Sequence, residues 1–145
     1  MKIQDYENLP DYMEVEELYR YCMLALDESN NEEMFTTLEK LDELGNRQWH
    51  TYELPNSDLQ NRIRNWIINN WENSQTFLEG VLGICYCFGL DKELYIQALN
   101  GYTGVHKQEF ENNLKNSTGN FINPWWSMSN NAQQGASADA KKPRR

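Results

Sequence analysis

The sequence predicts an all-α fold: a small single-domain helical bundle, or stacked helical hairpins, with about six helices. Apolar residues recur at helical spacing in several separate segments of the 145-residue chain. Short stretches of small polar residues, glycine and proline separate these segments. No run shows the sustained apolar/polar alternation that is typical of a half-buried strand. We therefore expect helices joined by turns, without a sheet.

The strongest periodic pattern covers residues 57–89, which we expect to form the core. Residues 57–72 carry one apolar stripe, whereas residues 74–89 are apolar nearly all round the helix. Ser74 is expected to start the second of these helices and Gly89 to end it. The stripe of the first helix consists of Leu59, Ile63, Trp66, Ile67 and Trp71.

Two earlier helices are expected to form a hairpin. The first covers residues 12–25, with Val15, Leu18, Tyr19, Cys22 and Leu26 on its inner side. The second follows the capping-box pattern Ser29-Asn-Asn-Glu32 and is expected to end at Gly45-Asn46 in a left-handed cap. Its inner residues are Met34, Phe35, Leu38, Leu41 and Leu44.

The remaining helix boundaries follow the same kind of signal. A capping box at Ser57–Gln60 is expected to start the helix of the apolar stripe. Asp91 is expected to cap a short helix that stops at Gly101, and Thr103 to cap a last one. The last helix should bury Val105, Phe110 and Leu114.

The composition changes towards the end of the chain. Residues 1–130 are expected to form one helical domain, and residues 131–145 a disordered basic tail. No signal peptide opens the chain, and its longest apolar run is too short to span a bilayer. Together with three cysteines that read as buried, reduced thiols, this predicts a cytoplasmic protein.

The charge is unevenly distributed along the chain. The net charge is -9, and residues 1–46 hold thirteen acids against three bases. Residues 131–145 instead carry four bases and one acid. An acidic field repels nucleic acid and anionic membranes and attracts cationic partners, so we expect neither a nucleic-acid nor a membrane interaction.

Catalytic and metal-binding patterns are missing from the sequence. Cys85 and Cys87, two positions apart on a helix, point to different sides, which argues against zinc ligation with Cys22, His50 or His106. No phosphate loop, dinucleotide fingerprint or nucleophile motif occurs. We expect a protein that is not an enzyme and has no cofactor.

Two features are candidates for binding a protein partner. The first is the acidic outer surface of the hairpin, comprising Asp11, Glu14, Glu17, Asp27, Glu28, Glu32 and Glu33. The second is Trp125-Trp126, which follows Pro124 outside any periodic pattern. Trp is enriched where binding energy concentrates, but a C-terminal arm that packs back on the bundle is the interpretation that we favour for this pair.

The sequence therefore predicts a non-enzymatic protein-binding module. The leading hypothesis is an acidic inhibitor of the immunity type, which neutralises a basic partner protein such as a bacterial toxin. The alternative is a structural or adaptor subunit of a larger phage or cellular assembly. The sequence leaves the oligomeric state open.

Overall fold

The computed structural model describes residues 1–51, 53–117 and 121. Within them the chain forms seven α-helices and one 3-10 turn at Ser29–Asn31, without a β-strand. The all-α prediction is confirmed, with one short helix more than expected. The helices are α1 (Ile3–Glu7), α2 (Val15–Glu28), α3 (Met34–Trp49), α4 (Ser57–Asn69), α5 (Gln75–Phe88), α6 (Lys92–Gly101) and α7 (Lys107–Lys115).

Helices α3 and α5 form the centre of the fold. They make the most extensive helix–helix contact; α1 and α2 pack on α3, and α6 packs on α5. The α2–α3 packing confirms the predicted hairpin. Helix α4 packs mainly on α2, and α7 packs on α6. Four residues of the predicted stripe are buried, Leu59, Ile63, Trp66 and Ile67. Helix α4 ends at Asn69, so the fifth, Trp71, lies beyond the helix and is half-buried. The central partner of α5 is α3 and not α4.

Two glycines allow α3 and α5 to approach closely. A Cβ added at Gly45 would lie 3.1 Å from Cβ of Cys87, and one added at Gly80 would lie 2.7 Å from the Leu38 side chain. The prediction that Gly45 ends its helix is wrong, because α3 continues to Trp49. Here glycine serves helix packing and not a left-handed cap.

The ends of α5 confirm the sequence prediction. The Ser74 hydroxyl accepts a hydrogen bond from the Phe77 amide, as an N-cap does. Gly89 ends the helix with φ 68°, in the left-handed region that only glycine adopts at little cost. This end turns the chain sharply towards α6.

Four predicted helix starts are displaced. Helix α2 covers Val15–Glu28 and not residues 12–25. Asn56, and not Ser57, caps α4, since its side-chain oxygen accepts from the amides of Asp58 and Leu59. The Ser29 hydroxyl donates back to the Leu26 carbonyl, so the residues after it form a 3-10 turn. That turn moves the start of α3 to Met34.

Near the end of the described chain, α7 starts at Lys107 with His106 in the N-cap position, and not at Thr103. Val105, predicted to be buried, precedes the helix and is 92% exposed. Phe35 is also at the surface, although it was predicted to lie inside.

The three cysteines are free. Cys22 and Cys85 are buried as predicted, whereas Cys87 is half-buried. Burial raises the pKa of all three thiols, that of Cys87 to about 12, which makes them poor nucleophiles. Among the helices of the described residues, none combines the length and the apolar character that crossing a membrane requires.

Candidate protein-binding surface

The structure divides the predicted acidic surface of the hairpin. Asp11, Glu14 and Glu17 are exposed around the N-terminal end of α2. Glu33 is exposed at the N-cap of α3, the other end of the hairpin. With about 1.5 Å of rise per residue, the 14 residues of α2 separate the two ends by about 20 Å. These acids do not form one continuous patch.

The other three predicted acids bind cations of the same chain. Asp27 pairs with Arg62, at 3.1 Å from the guanidinium. Glu28 and Glu32 both bind the ammonium of Lys40, at 3.1 and 2.8 Å. Glu28 and Glu32 thus stabilise the fold through the buried Lys40, whereas Asp27 is in an exposed pair. The role of these three residues in partner binding stays a prediction.

Lys40 is the centre of a buried polar network. Its side chain is fully buried, and its ammonium lies 5.2 Å from the centre of the Tyr6 ring. The Tyr6 hydroxyl and the Met1 amino group both donate to Glu28, and Thr37 donates to Glu32. The network ties α1 to α2 and α3.

The charges of this network stabilise one another. Burial by itself raises the pKa of Glu28, but hydrogen bonds from the Met1 amino group and Lys40 outweigh it and hold this pKa below its usual value. Burial likewise lowers the pKa of Lys40, but the hydrogen bonds to Glu32 and Glu28 outweigh it and raise this pKa. Both groups are therefore charged near neutral pH.

A second buried cation, Arg47, closes the segment that joins α1 to α2. Its guanidinium donates to the carbonyls of Glu7, Leu9 and Pro10, at distances between 2.9 and 3.2 Å. It also donates to the Glu43 carboxylate one helical turn earlier. A single side chain thus satisfies several backbone acceptors that would otherwise lack donors.

The cations of the described residues are largely used inside the molecule. Of the nine Lys and Arg residues there, six donate to internal acceptors: Lys40, Arg47, Arg62, Arg64, Lys92 and Lys107. The same residues include 21 Asp and Glu. Of the six, Lys40 and Arg47 are buried, whereas Arg62 and Arg64 pair with Asp27 and Asp91 at the surface. The excess of acids over bases makes the surface of the described residues predominantly negative.

A groove of about 390 Å³ lies between α3 and α5, with Phe110 of α7 at one edge. We call it the α3–α5 groove. Leu38, Gly80 and Gly83 contribute apolar lining. Three carboxylates from two helices also line it, those of Glu39, Asp42 and Glu79. The groove therefore combines an apolar base with an acidic rim.

The carboxylates of the groove are placed by different contacts. Glu79 accepts a 2.9 Å hydrogen bond from the hydroxyl of the buried Tyr102, which fixes its orientation. The Asp42 carboxylate lies against α5, where a Cβ at Gly83 would be 3.4 Å from it. Although Asp42 is exposed at the rim, packing of its carboxylate against α5 removes part of its hydration and raises the pKa of Asp42, and the charges of Glu43, Glu79 and Glu39 raise it further. A cation in the groove would relieve that repulsion.

One residue of α5 could have indicated this site from the sequence. Glu79 is the only charged residue of α5 and stands beside Gly80 in an otherwise apolar helix. A lone carboxylate in such a segment must reach either a partner or solvent. The contribution of α3 could not be located in the same way, because its acids resemble any solvated helix face.

An aromatic row ends at the last described residue. Phe121 is 2% exposed and packs against Tyr95 and Tyr86, with ring centres 4.6 and 5.3 Å apart. Tyr86 in turn stacks on Trp49 at 4.8 Å. The candidate anchors Trp125 and Trp126 lie outside the described residues, as does the predicted basic tail, residues 131–145. Their role stays a prediction.

A larger cleft of about 520 Å³ lies between α2, α4 and residues 53–56. The neighbouring Tyr52 is outside the described residues, so we assign no site there. Among the residues that the structure describes, no three His, Cys, Asp or Glu side chains are grouped so that they could hold a metal ion.

Comparisons of the chain with protein families, with curated proteins and with solved structures each found no match. The proposed function therefore rests on the acidic surface and the α3–α5 groove.

Proposed function

We propose that this protein is a non-enzymatic binding module whose acidic surface engages a basic partner protein, as an inhibitor or immunity-type protein neutralises a basic toxin. One observation carries the proposal: most cations of the described chain are used internally, while many carboxylates face solvent. Such a surface accelerates the association of a basic partner, especially at low ionic strength.

Two parts of the surface are the proposed contact regions. The α3–α5 groove offers Glu39, Asp42 and Glu79 around an apolar base. The N-terminal end of α2 offers Asp11, Glu14 and Glu17, which also complement the helix dipole. The same field disfavours nucleic acid as a partner, and the buried thiols suit a reducing compartment such as the cytoplasm.

The test is capture of a partner from the protein's own cells on the tagged chain, with washes at ~50 mM and then ~500 mM salt. We expect a basic protein that binds near 1:1 and is released by the high-salt wash. The groove variant E39Q/D42N/E79Q and the α2 variant D11N/E14Q/E17Q should each slow its association about tenfold at low salt.

A matched control removes the same number of charges elsewhere. D58N/E72Q/E93Q changes three exposed acids on α4, α6 and the segment before α5, and should slow association by much less. Equal slowing by all three variants would show that only net charge matters. Binding that none of them changes would overturn the acidic surface as the contact.

The alternative function, an adaptor subunit, is favoured by a different observation. Ile68 of α4 is 44% exposed and lines a groove of about 240 Å³ with Trp71 and Leu94. An adaptor would bind through such apolar surface, so its partners would stay bound at high salt. Loss of several salt-resistant partners in the variant Ile68→Asp would favour this function over the first.

A further inference from the structure

The α3–α5 groove has the chemistry that suits a lysine or arginine side chain. Such side chains lay their methylene stem on apolar surface and keep the charge at its edge. Leu38 and Phe110 supply apolar surface, and the carboxylates of Glu39, Asp42 and Glu79 supply the charged edge. Of the described residues, no Lys or Arg lines the groove.

The chain itself contains a matching segment. Four of its 13 bases lie within residues 141–145, in the order Lys-Lys-Pro-Arg-Arg, which we call the basic segment. Pro143 in its middle favours an extended backbone, which presents successive side chains to a groove. The segment lies outside the described residues, so docking is inferred only from its charge and its distance along the chain from Phe121.

The chain leaves the described part of the fold close to the groove. Phe121 packs against Tyr95, and Tyr95 contacts Phe110 of the groove with ring centres 6.4 Å apart. Lys141 follows Phe121 by 20 positions. Twenty residues can span up to about 70 Å, so this length of chain is enough for the basic segment to reach the groove.

We propose that the basic segment Lys141–Arg145 docks in the α3–α5 groove of its own chain and occupies it in place of a partner. Each exposed ion pair contributes little, but the tether gives the segment an effective concentration in the millimolar range. A basic partner must then displace the segment before it reaches the groove, which favours partners of higher charge. This last consequence rests on the proposed function, whereas the docking itself does not.

The docking is tested on the full chain by NMR. The variant K141Q/K142Q/R144Q/R145Q should shift the amide resonances of Gly80 and Gly83 relative to the unmodified chain. It should also raise the Asp42 pKa, measured from the side-chain carboxyl resonance, because a docked cation stabilises the carboxylate. High salt should produce the same shifts of the amide resonances in the unmodified chain.

Two controls make the result specific. K2Q/R20Q/K115Q removes exposed bases elsewhere and should leave the groove resonances in place. In an E39Q/E79Q background, neutralising the basic segment should have little further effect. Groove resonances that are unchanged by neutralising the segment would overturn the proposal. So would shifts at the N-terminal end of α2 instead, or shifts that depend on protein concentration and so report docking between copies.

The outcome for a partner separates this proposal from the proposed function. If both hold, neutralising the basic segment should raise the affinity for the captured partner about three- to tenfold. Docking observed by NMR without any basic partner in the capture experiment would refute the proposed function alone. A partner that binds the groove, with no effect of the segment on the resonances, would refute the docking alone.

Discussion

The two sides of the molecule differ in the contacts that hold their helices together. Around α1, α2 and α3, two buried cations, Lys40 and Arg47, connect the helices by hydrogen bonds to residues up to 40 positions away. Around α5, α6 and α7, the corresponding contacts are between aromatic rings: Phe121 packs on Tyr86 and Tyr95, and Tyr102 packs on Phe110. Both regions share one apolar core, to which the first adds directional bonds from buried cations and the second adds ring contacts.

This difference explains how an acidic sequence keeps an acidic surface. The N-terminal region has few bases, and two of those present there are drawn inside to satisfy carboxylates and backbone carbonyls. In the aromatic region, Lys92 and Lys107 donate to backbone carbonyls and not to carboxylates. The carboxylate of Glu79 is held at the groove by a tyrosine hydroxyl and not by a cation.

The largest effect is expected when a buried cation of the first region is removed. Arg47→Ala leaves the carbonyls of Glu7, Leu9 and Pro10 without their donor, so the free energy of unfolding should fall by about 3–5 kcal/mol. Urea unfolding measures it. Arg20→Ala, at an exposed base, is the control and should change stability by less than about 0.5 kcal/mol. A loss below about 1 kcal/mol for Arg47→Ala would mean that water replaces the guanidinium readily.

A smaller effect is expected in the aromatic region from an added methyl group. A Cβ at Gly104 would overlap the hydroxyl end of the buried Tyr102. Gly104→Ala should therefore cost about 1–3 kcal/mol, because the ring has to move and its bond to Glu79 is lost. Thermal unfolding and near-ultraviolet circular dichroism measure the change, with Thr103→Ala at an exposed neighbour as control. Unchanged stability would show that Tyr102 has room to turn aside.

The fold class was predictable because the buried residues of a helix recur at helical spacing in the sequence. Leu59, Ile63 and Trp66 lie on one face of α4 at helical spacing, and all are buried. The helix boundaries were harder to predict from the sequence. Asn56 and Ser57 are both good capping residues in adjacent positions, and only the backbone geometry selects the first. Gly45 was misassigned because glycine ends helices and also lets helices approach closely.

The site was less predictable because the pairing of charged side chains depends on tertiary contacts, which helical spacing does not reveal. Asp11, Glu14 and Glu17 are exposed as predicted, but only Glu17 lies within α2, because Asp11 precedes the helix and Glu14 is its N-cap. Helical spacing could not show that Glu28 and Glu32 share Lys40, which follows them by 12 and 8 positions. The groove joins acids of α3 to Glu79 of α5, and that requires knowing that these two helices cross.

Acidification should affect two carboxylates, Glu28 of the Lys40 network and Asp42 of the α3–α5 groove, in opposite directions, with smaller changes than either substitution above. The pKa of folded Glu28 lies below its usual 4.5, so its contribution to stability is present above pH 4.5 and is lost as pH falls through the folded value. The pKa of folded Asp42 lies above its usual 3.8, so the repulsion that it causes is relieved as pH falls through the raised value.

Urea unfolding between pH 7 and pH 3 separates the two contributions. Glu28→Gln should be less stable than the unmodified chain at neutral pH, by about 1–2 kcal/mol, and the two curves should converge in acid. Asp42→Asn should show the reverse order at neutral pH and lose stability more steeply on acidification, because it lacks the relief. Glu14→Gln controls for the loss of one exposed charge. If the Asp42→Asn curve runs parallel to that of the unmodified chain, the Asp42 carboxylate is fully hydrated, and the groove would hold a cation no better than any other acidic surface.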